Sequence, residues 1–154
     1  MRYILTDCNA TAIDLYKKVE VLNNYIALEK SRFGARLDVT VNIQGSISNK
    51  MIAPLLLLPF VENSFKHGTS EIIEQPWISM DLRVSDDMLN FKLINGKASN
   101  KTSSVTSSAV GLKNVKKRLA LLYPEAYKLT LTEDDDTYIA SLMLHLGNIK
   151  SPAL

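Results

Sequence analysis

The chain has 154 residues, 46% of them hydrophobic and 22% charged. That length suits one compact domain, and such a domain buries about 70% of the surface its unfolded chain exposes, so it needs no disulfide or metal to fold. With 18 basic and 16 acidic residues the net charge is +2, too balanced to argue for a nucleic-acid partner or a membrane surface.

A single cysteine, Cys8, excludes an intrachain disulfide, and with two widely separated histidines it makes no metal-ligand cluster. The start, Met1 to Asp7, lacks the apolar core of a signal peptide. The longest apolar run, Ile52 to Val61, is broken by Pro54 and Pro59 and falls far short of the ~20 residues of a membrane span.

Residues 14–33 read as a helix. Leu15, Val19, Leu22, Ile26 and Phe33 recur near helical spacing among Lys17, Lys18, Glu20, Lys30 and Arg32. Asp14 or Thr11 caps its start and Gly34 its end. Over 36–44, Leu37, Val39, Val41 and Ile43 alternate with polar residues and predict a strand, followed by a turn over 45–50. Pro54 to Gly68 is apolar almost all round in its first turns, which predicts a helix buried on most sides. Pro54 fits the first turn and Gly68 the position after the last, while Pro59, with no N–H to give, either kinks the helix or marks its true start.

Trp77 to Val84 alternates, Asp86-Asp87 turns the chain, and Leu89, Phe91 and Leu93 alternate again, as in a hairpin. Trp77 and the phenylalanines are expected in the core. Residues 96–108 form a long polar loop with little means of burying itself. Leu112 to Tyr123 reads as a helix stopped by Pro124. Lys128–Thr132 and Thr137–Leu146 form a second hairpin, turned at Glu133–Asp136. His145 lies within that last strand's alternation and reads as structural. Hairpins with helices on one side predict an α/β (α+β) two-layer sandwich, its sheet mixed but mainly antiparallel, its helices packed on one face.

Two stretches carry candidate chemistry. In Glu62-Asn63-Ser64-Phe65-Lys66-His67-Gly68, residues Asn63, Lys66 and His67 sit at i, i+3 and i+4 on one helix face. An amide oxygen, a cation and an imidazole together suit a Mg²⁺–triphosphate, since Mg²⁺ takes hard oxygen ligands and shares the phosphates. On spacing alone the same residues are equally a solvated helix face. In Ala109-Val110-Gly111-Leu112-Lys113-Asn114-Val115-Lys116-Lys117-Arg118-Leu119, a polar loop meets a glycine and opens a basic helix. Helix N-termini bind phosphate, although a capped basic surface helix is the commoner meaning of such a stretch.

Taken together, the stretches are recognisable. Pro-Leu-Leu-Leu-Leu-Pro-Phe-Val-Glu-Asn-Ser-Phe-Lys-His-Gly resembles the N box of the LytS-like sensor histidine kinases. Gly-Leu-Lys-Asn-Val-Lys-Lys-Arg-Leu, followed by Leu-Leu-Tyr-Pro, resembles that family's second glycine box. Residues 24–34 resemble the helix before its first strand. The likeness covers roughly residues 1–146. It implies a Bergerat (GHKL) ATP-binding fold with ATP and Mg²⁺ as ligands. Asn63 matches the Mg²⁺-coordinating asparagine, Lys66 and His67 match positions facing the phosphates, and Gly111, with Leu112 and Asn114 after it, matches the glycine box beside an ATP lid over 96–109. Arg118 follows as a phosphate neighbour.

The sequence departs from the pattern in three places. Asn95, followed by Gly96, stands where an aspartate accepts a hydrogen bond from adenine, and a neutral acceptor makes a weaker bond than a charged one. One lid glycine is replaced by Ala109. Pro59 stands where hydrolytic relatives place a glutamate, which argues against a hydrolytic ATPase.

By the same resemblance, 1–13 is the remnant of an upstream dimerisation helix or linker, 14–146 the catalytic domain and 147–154 a tail. The implied phosphoacceptor histidine lies upstream on a dimerisation domain, with a response-regulator receiver domain as the next partner. The full-length protein is expected to be a homodimer at the bacterial inner membrane, with this domain in the cytoplasm. The rival readings are a degenerate GHKL interaction module without turnover and an anti-sigma-like GHKL kinase.

Overall fold

The computed structural model of the protein describes residues 12–68, 74–97 and 108–149. The first strand, β1 (Ile13–Asp14), is two residues long and pairs antiparallel with β3 (Met51–Ile52). The helix α1 (Leu15–Phe33) follows at once. Its start is fixed by Asp14, whose carboxylate accepts the Tyr16 N–H at 2.9 Å, a cap of about 1 kcal/mol. Its end is fixed by Gly34, at φ +68, whose N–H reaches the Lys30 carbonyl. Leu15, Val19, Leu22 and Ile26 form its buried stripe, as their spacing predicts.

A 3₁₀ turn over Gly34–Arg36 leads into β2 (Asp38–Gly45). At the end of β2, Gly45 has φ +89, and a Cβ there would run into the Val84 carbonyl oxygen. Only glycine fits so close an approach.

The helix α2 spans Leu58–Gly68, not the whole run from Pro54. Two local features explain the late start. Leu55 sits in the left-handed region at φ +63, which a helix does not tolerate. Pro59 is then in the first turn, where a missing N–H costs nothing. Pro59 therefore marks the true start.

The hairpin β4 (Trp77–Ser85) and β5 (Met88–Gly96), the helix α3 (Ser108–Leu122), and the hairpin β6 (Tyr127–Glu133) and β7 (Thr137–His145) complete the order. The five long strands form one sheet in the order β2-β4-β5-β7-β6. Only β2–β4 is parallel; the other three pairs are antiparallel.

Alternation sorts the sheet's two faces. Ile78, Met80 and Leu82, then Leu89, Phe91 and Leu93, then Ala140, Leu142 and Leu144 are buried. The helices cover this face with Phe60, Val61 and Phe65 of α2 and Val115, Leu119 and Leu122 of α3. Phe60 and Phe91 meet with ring centroids 5.9 Å apart. The other face is polar, with Asn42 donating to Asp81 at 3.0 Å beside Arg83, Asn90 and Lys92. Trp77 belongs to this outer face: it is 37% exposed, not core, because it falls opposite Ile78 in the alternation. Phe60, Phe65 and Phe91 are buried as expected, whereas Phe33 packs at the core's margin.

The sandwich therefore has the predicted class. Among the described residues no helix is long and apolar enough to cross a membrane. Most of the expected lid, the bulk of the N-terminal remnant and the end of the tail lie outside the described residues.

Candidate functional site

The site is built on α2, the end of β5 and the start of α3. Helix α2 packs on β5 and against α3, so the two stretches singled out in the sequence are neighbours in space. Asn63 is 7% exposed, an unusual burial for a side-chain amide. Lys66 is exposed and His67 half-buried.

Burial pushes the His67 imidazole below its ordinary value of 6.5; Glu133 pulls it back up and Lys66 pushes it further down. At neutral pH the ring is uncharged, with one N–H to donate and one nitrogen to accept. Glu133 also accepts from Lys97 at 2.6 Å. Lys97 directly follows β5, so the C-terminal end of α2 and the exit of β5 lie at the same end of the sheet.

Asn95 closes that end from below. It is fully buried and shares the core face with Leu93 and Phe91. Its Nδ2 donates to the Gly96 carbonyl at 3.0 Å. Its Oδ1 is buried with no partner among the described residues. A buried unsatisfied acceptor costs about 1–3 kcal/mol. The carboxamide's donor side is thus committed to the backbone, which leaves an acceptor alone to offer. Gly96 has a different part. A Cβ there would come within 2.8 Å of the Trp77 indole nitrogen, so the space its side chain would fill belongs to Trp77.

Helix α3 begins at Ser108, four residues before the predicted Leu112. Gly111 therefore lies inside the first turn and not ahead of it. A Cβ on Gly111 would meet nothing among the described residues within 4 Å: the glycine is not demanded by their packing. Leu112 packs against the core's edge, and Asn114 is exposed. The helix's first N–H groups have no partners within the helix and make an anion-attracting end.

Arg118 points elsewhere. Its Nη2 donates to the Pro54 carbonyl at 2.9 Å, across the interface between α3 and the turn that launches α2. Tyr123, directly before Pro124, has a comparable part. It is fully buried, and its phenolic oxygen accepts the Ala53 N–H at 2.9 Å. Desolvation raises the phenol's pKa, partly offset by that bond. Neither contact has a signal in sequence spacing, because the partners lie 64 and 70 residues away.

Among the described residues there is no group of three or more His, Cys, Asp or Glu side chains placed to hold a metal ion. A cation at Asn63 would need oxygens from a phosphate ligand and water. That is the ordinary situation for Mg²⁺, which uses few protein ligands and keeps several waters.

Comparison with known proteins adds the following. No family model matches the chain. The sensor histidine kinase BtsS of Escherichia coli is 29% identical over 126 residues, covering 82% of this chain and 22% of that protein. The sensor protein LytS of Oceanobacillus iheyensis is 22% identical over 163 aligned positions, covering 97% of this chain and 28% of LytS. The chain thus spans about a quarter of the length of these relatives.

Among solved structures, the catalytic domain of histidine kinase ThkA superposes with a TM-score of 0.58 at 8% identity, covering 88% of this chain and 94% of that domain. Histidine kinase AdeS of Acinetobacter baumannii superposes with a TM-score of 0.59 at 11% identity, covering 89% and 67%. The sequence relatives and the shared fold agree with the paired motifs on α2 and α3: the chain is similar in sequence to sensor histidine kinases, LytS among them, and has the fold of a histidine kinase catalytic domain.

Proposed function

We propose that this domain binds ATP with Mg²⁺ and acts as the phosphoryl-donating part of a sensor histidine kinase. The observation that carries the reading is Asn95: a fully buried acceptor with no partner among the described residues, at the strand end where the family's adenine contact falls. An exocyclic amine supplies the missing donor, and a guanine oxygen in its place would not. Asn63 offers its amide oxygen to the metal, which neutralises charge on the phosphates. Lys66, the neutral His67 and the first-turn N–H groups of α3 around Gly111 hold the phosphate oxygens. The described residues offer little else to the chemistry, as befits phosphoryl transfer, which depends on positioning and electrostatics more than on covalent steps.

Bound ATP supplies the γ-phosphoryl group. Its acceptor is a histidine on an upstream dimerisation domain of the same full-length protein, and a response regulator receives it next. The full-length kinase is a homodimer with this domain on the cytoplasmic side of a bacterial inner membrane. Residues 14–146 are the catalytic domain, with 1–13 belonging to the linker and 147–154 to a tail. These assignments rest on the sequence relatives and on the family resemblance.

The test is calorimetric titration with a non-hydrolysable ATP analogue, with and without Mg²⁺. The wild type should bind more tightly with the metal. Asn63→Ala should lower affinity for the metal complex about tenfold, equivalent to ~1.4 kcal/mol, and leave metal-free affinity nearly unchanged. An Asn63→Ala protein that binds the metal complex like the wild type would refute the assignment.

A further inference from the structure

The N-box helix does not hold its own position. Its launching segment, Ala53–Leu57, is irregular and contains Leu55 in a strained left-handed conformation. Such a segment persists only when its surroundings over-determine it. Arg118 of α3 and Tyr123, the residue just past its end, supply that constraint. Tyr123 takes the Ala53 N–H and Arg118 gives an N–H to the Pro54 carbonyl, both at 2.9 Å. They grip adjacent residues on the near side of the strained Leu55. They lie near the end of, and directly after, the helix whose first turn holds Gly111. Behind the turn, β3 is pinned to β1, and the Leu15 N–H reaches the Lys50 carbonyl at 2.8 Å.

We infer that Arg118 and Tyr123 form a clasp that sets the placement of α2, and with it Asn63, relative to α3. They are positioning residues for the metal–phosphate site and touch neither ligand. Arg118 is thereby reassigned from phosphate neighbour to backbone anchor. Its Nε is buried with no partner among the described residues, and its hold on Pro54 runs through Nη2. The clasp also links the two halves of the site mechanically. A shift of α3 is passed through these two bonds to the Ala53–Pro54 backbone, from which α2 starts. This inference rests on the proposed ATP·Mg²⁺ reading.

The test uses Tyr123→Phe, which removes only the hydroxyl, Arg118→Met, which keeps the stem, and Arg118→Lys, which restores one donor. The probe is a non-hydrolysable ATP analogue titrated with and without Mg²⁺. Each of the first two variants should lose about fivefold of the metal-dependent gain in affinity, within the usual coupling between contacting groups. Metal-free affinity should stay within about twofold, and Arg118→Lys should recover part of the loss. In the Asn63→Ala background Tyr123→Phe should have no further effect on the metal-dependent gain. Amide exchange should quicken across 55–68 in both variants.

Equal losses with and without metal, or additivity with Asn63→Ala, would reduce the clasp to a general stability contact and overturn the inference. Unchanged exchange across 55–68 would overturn it as well. A wild type with no metal-dependent binding would overturn the ATP·Mg²⁺ reading itself, and the clasp's role would fall with it.

Discussion

Gly111→Ala separates a ligand role from a folding role at a single methyl group. Gly111 lies in the first turn of α3, is not among the left-handed glycines, and has nothing among the described residues within 4 Å of where a Cβ would stand. In the nucleotide-free protein the alanine therefore meets no clash. It should stabilise the helix by about 0.5–1 kcal/mol through its better propensity and the reduced freedom of the unfolded chain. For a domain of this size that is a rise in melting temperature of roughly 1–4 °C. If phosphate oxygens approach the backbone here, the same methyl occupies the path and should weaken nucleotide binding about tenfold, or ~1.4 kcal/mol. Thermal melts of the free protein and calorimetric titration read the two effects independently. Higher stability with unchanged affinity would refute the phosphate assignment of Gly111. Lower stability would refute the helical placement.

Three further outcomes follow from the site and the sheet. Asn95→Leu removes the orphaned acceptor but also the bond to Gly96, two effects of about 1–3 kcal/mol and opposite sign; its melting temperature should stay close to the wild type while affinity for an adenine nucleotide falls about tenfold or more, as titration would show. Gly45→Ala should destabilise by about 2–4 kcal/mol, because the new Cβ meets the Val84 carbonyl at a φ of +89; a denaturant midpoint checks it. His67 has a lowered pKa in the folded state, so the unfolded chain binds its proton more readily. Stability linked to it is fully present above the unfolded value of 6.5 and is lost as pH falls from there through the folded value. Melts between pH 7.5 and about pH 5 should show a decline that His67→Gln flattens, and a bound triphosphate should move the His67 titration upward in an NMR experiment.

Much of this was legible in the sequence where the signal is local. Asp14 and Gly34 bracket α1 because capping is a matter of one residue and its neighbours. The β4–β5 hairpin announced itself by alternation on either side of Asp86-Asp87. The errors fall where long-range contacts decide. Of the two readings that Pro59 left open for α2, the structure takes the later start at Leu58, while the contacts of Tyr123 and Arg118 with the turn before it left no local trace. The start of α3 moved back to Ser108 because Ser and Ala in a polar stretch carry no periodic signal.

The strands β1 and β3, two residues each, are too short to show a period. Trp77 was placed in the core by its bulk, although its own alternation with Ile78 put it outside. The asparagine and glycine boxes were visible as types and spacings. The unpartnered oxygen of Asn95 was not, because it depends on the Gly96 carbonyl claiming the other half of the amide.

The strand order carries a consequence for how the chain is made. β7, the last strand in the chain, is not an edge strand; it lies between β5 and β6. During synthesis β5 is finished at Gly96 and cannot acquire its second partner until His145 has been added. At ordinary translation rates of about 5–20 residues per second, that interval lasts roughly 2–10 s. For that time the nascent domain carries an unpaired sheet edge, and β6 has been made with nothing to pair to. Translation that stops before residue 137 leaves β5 without its second neighbour and β6 with none, so an early stop costs the sheet two strands and not merely its last one.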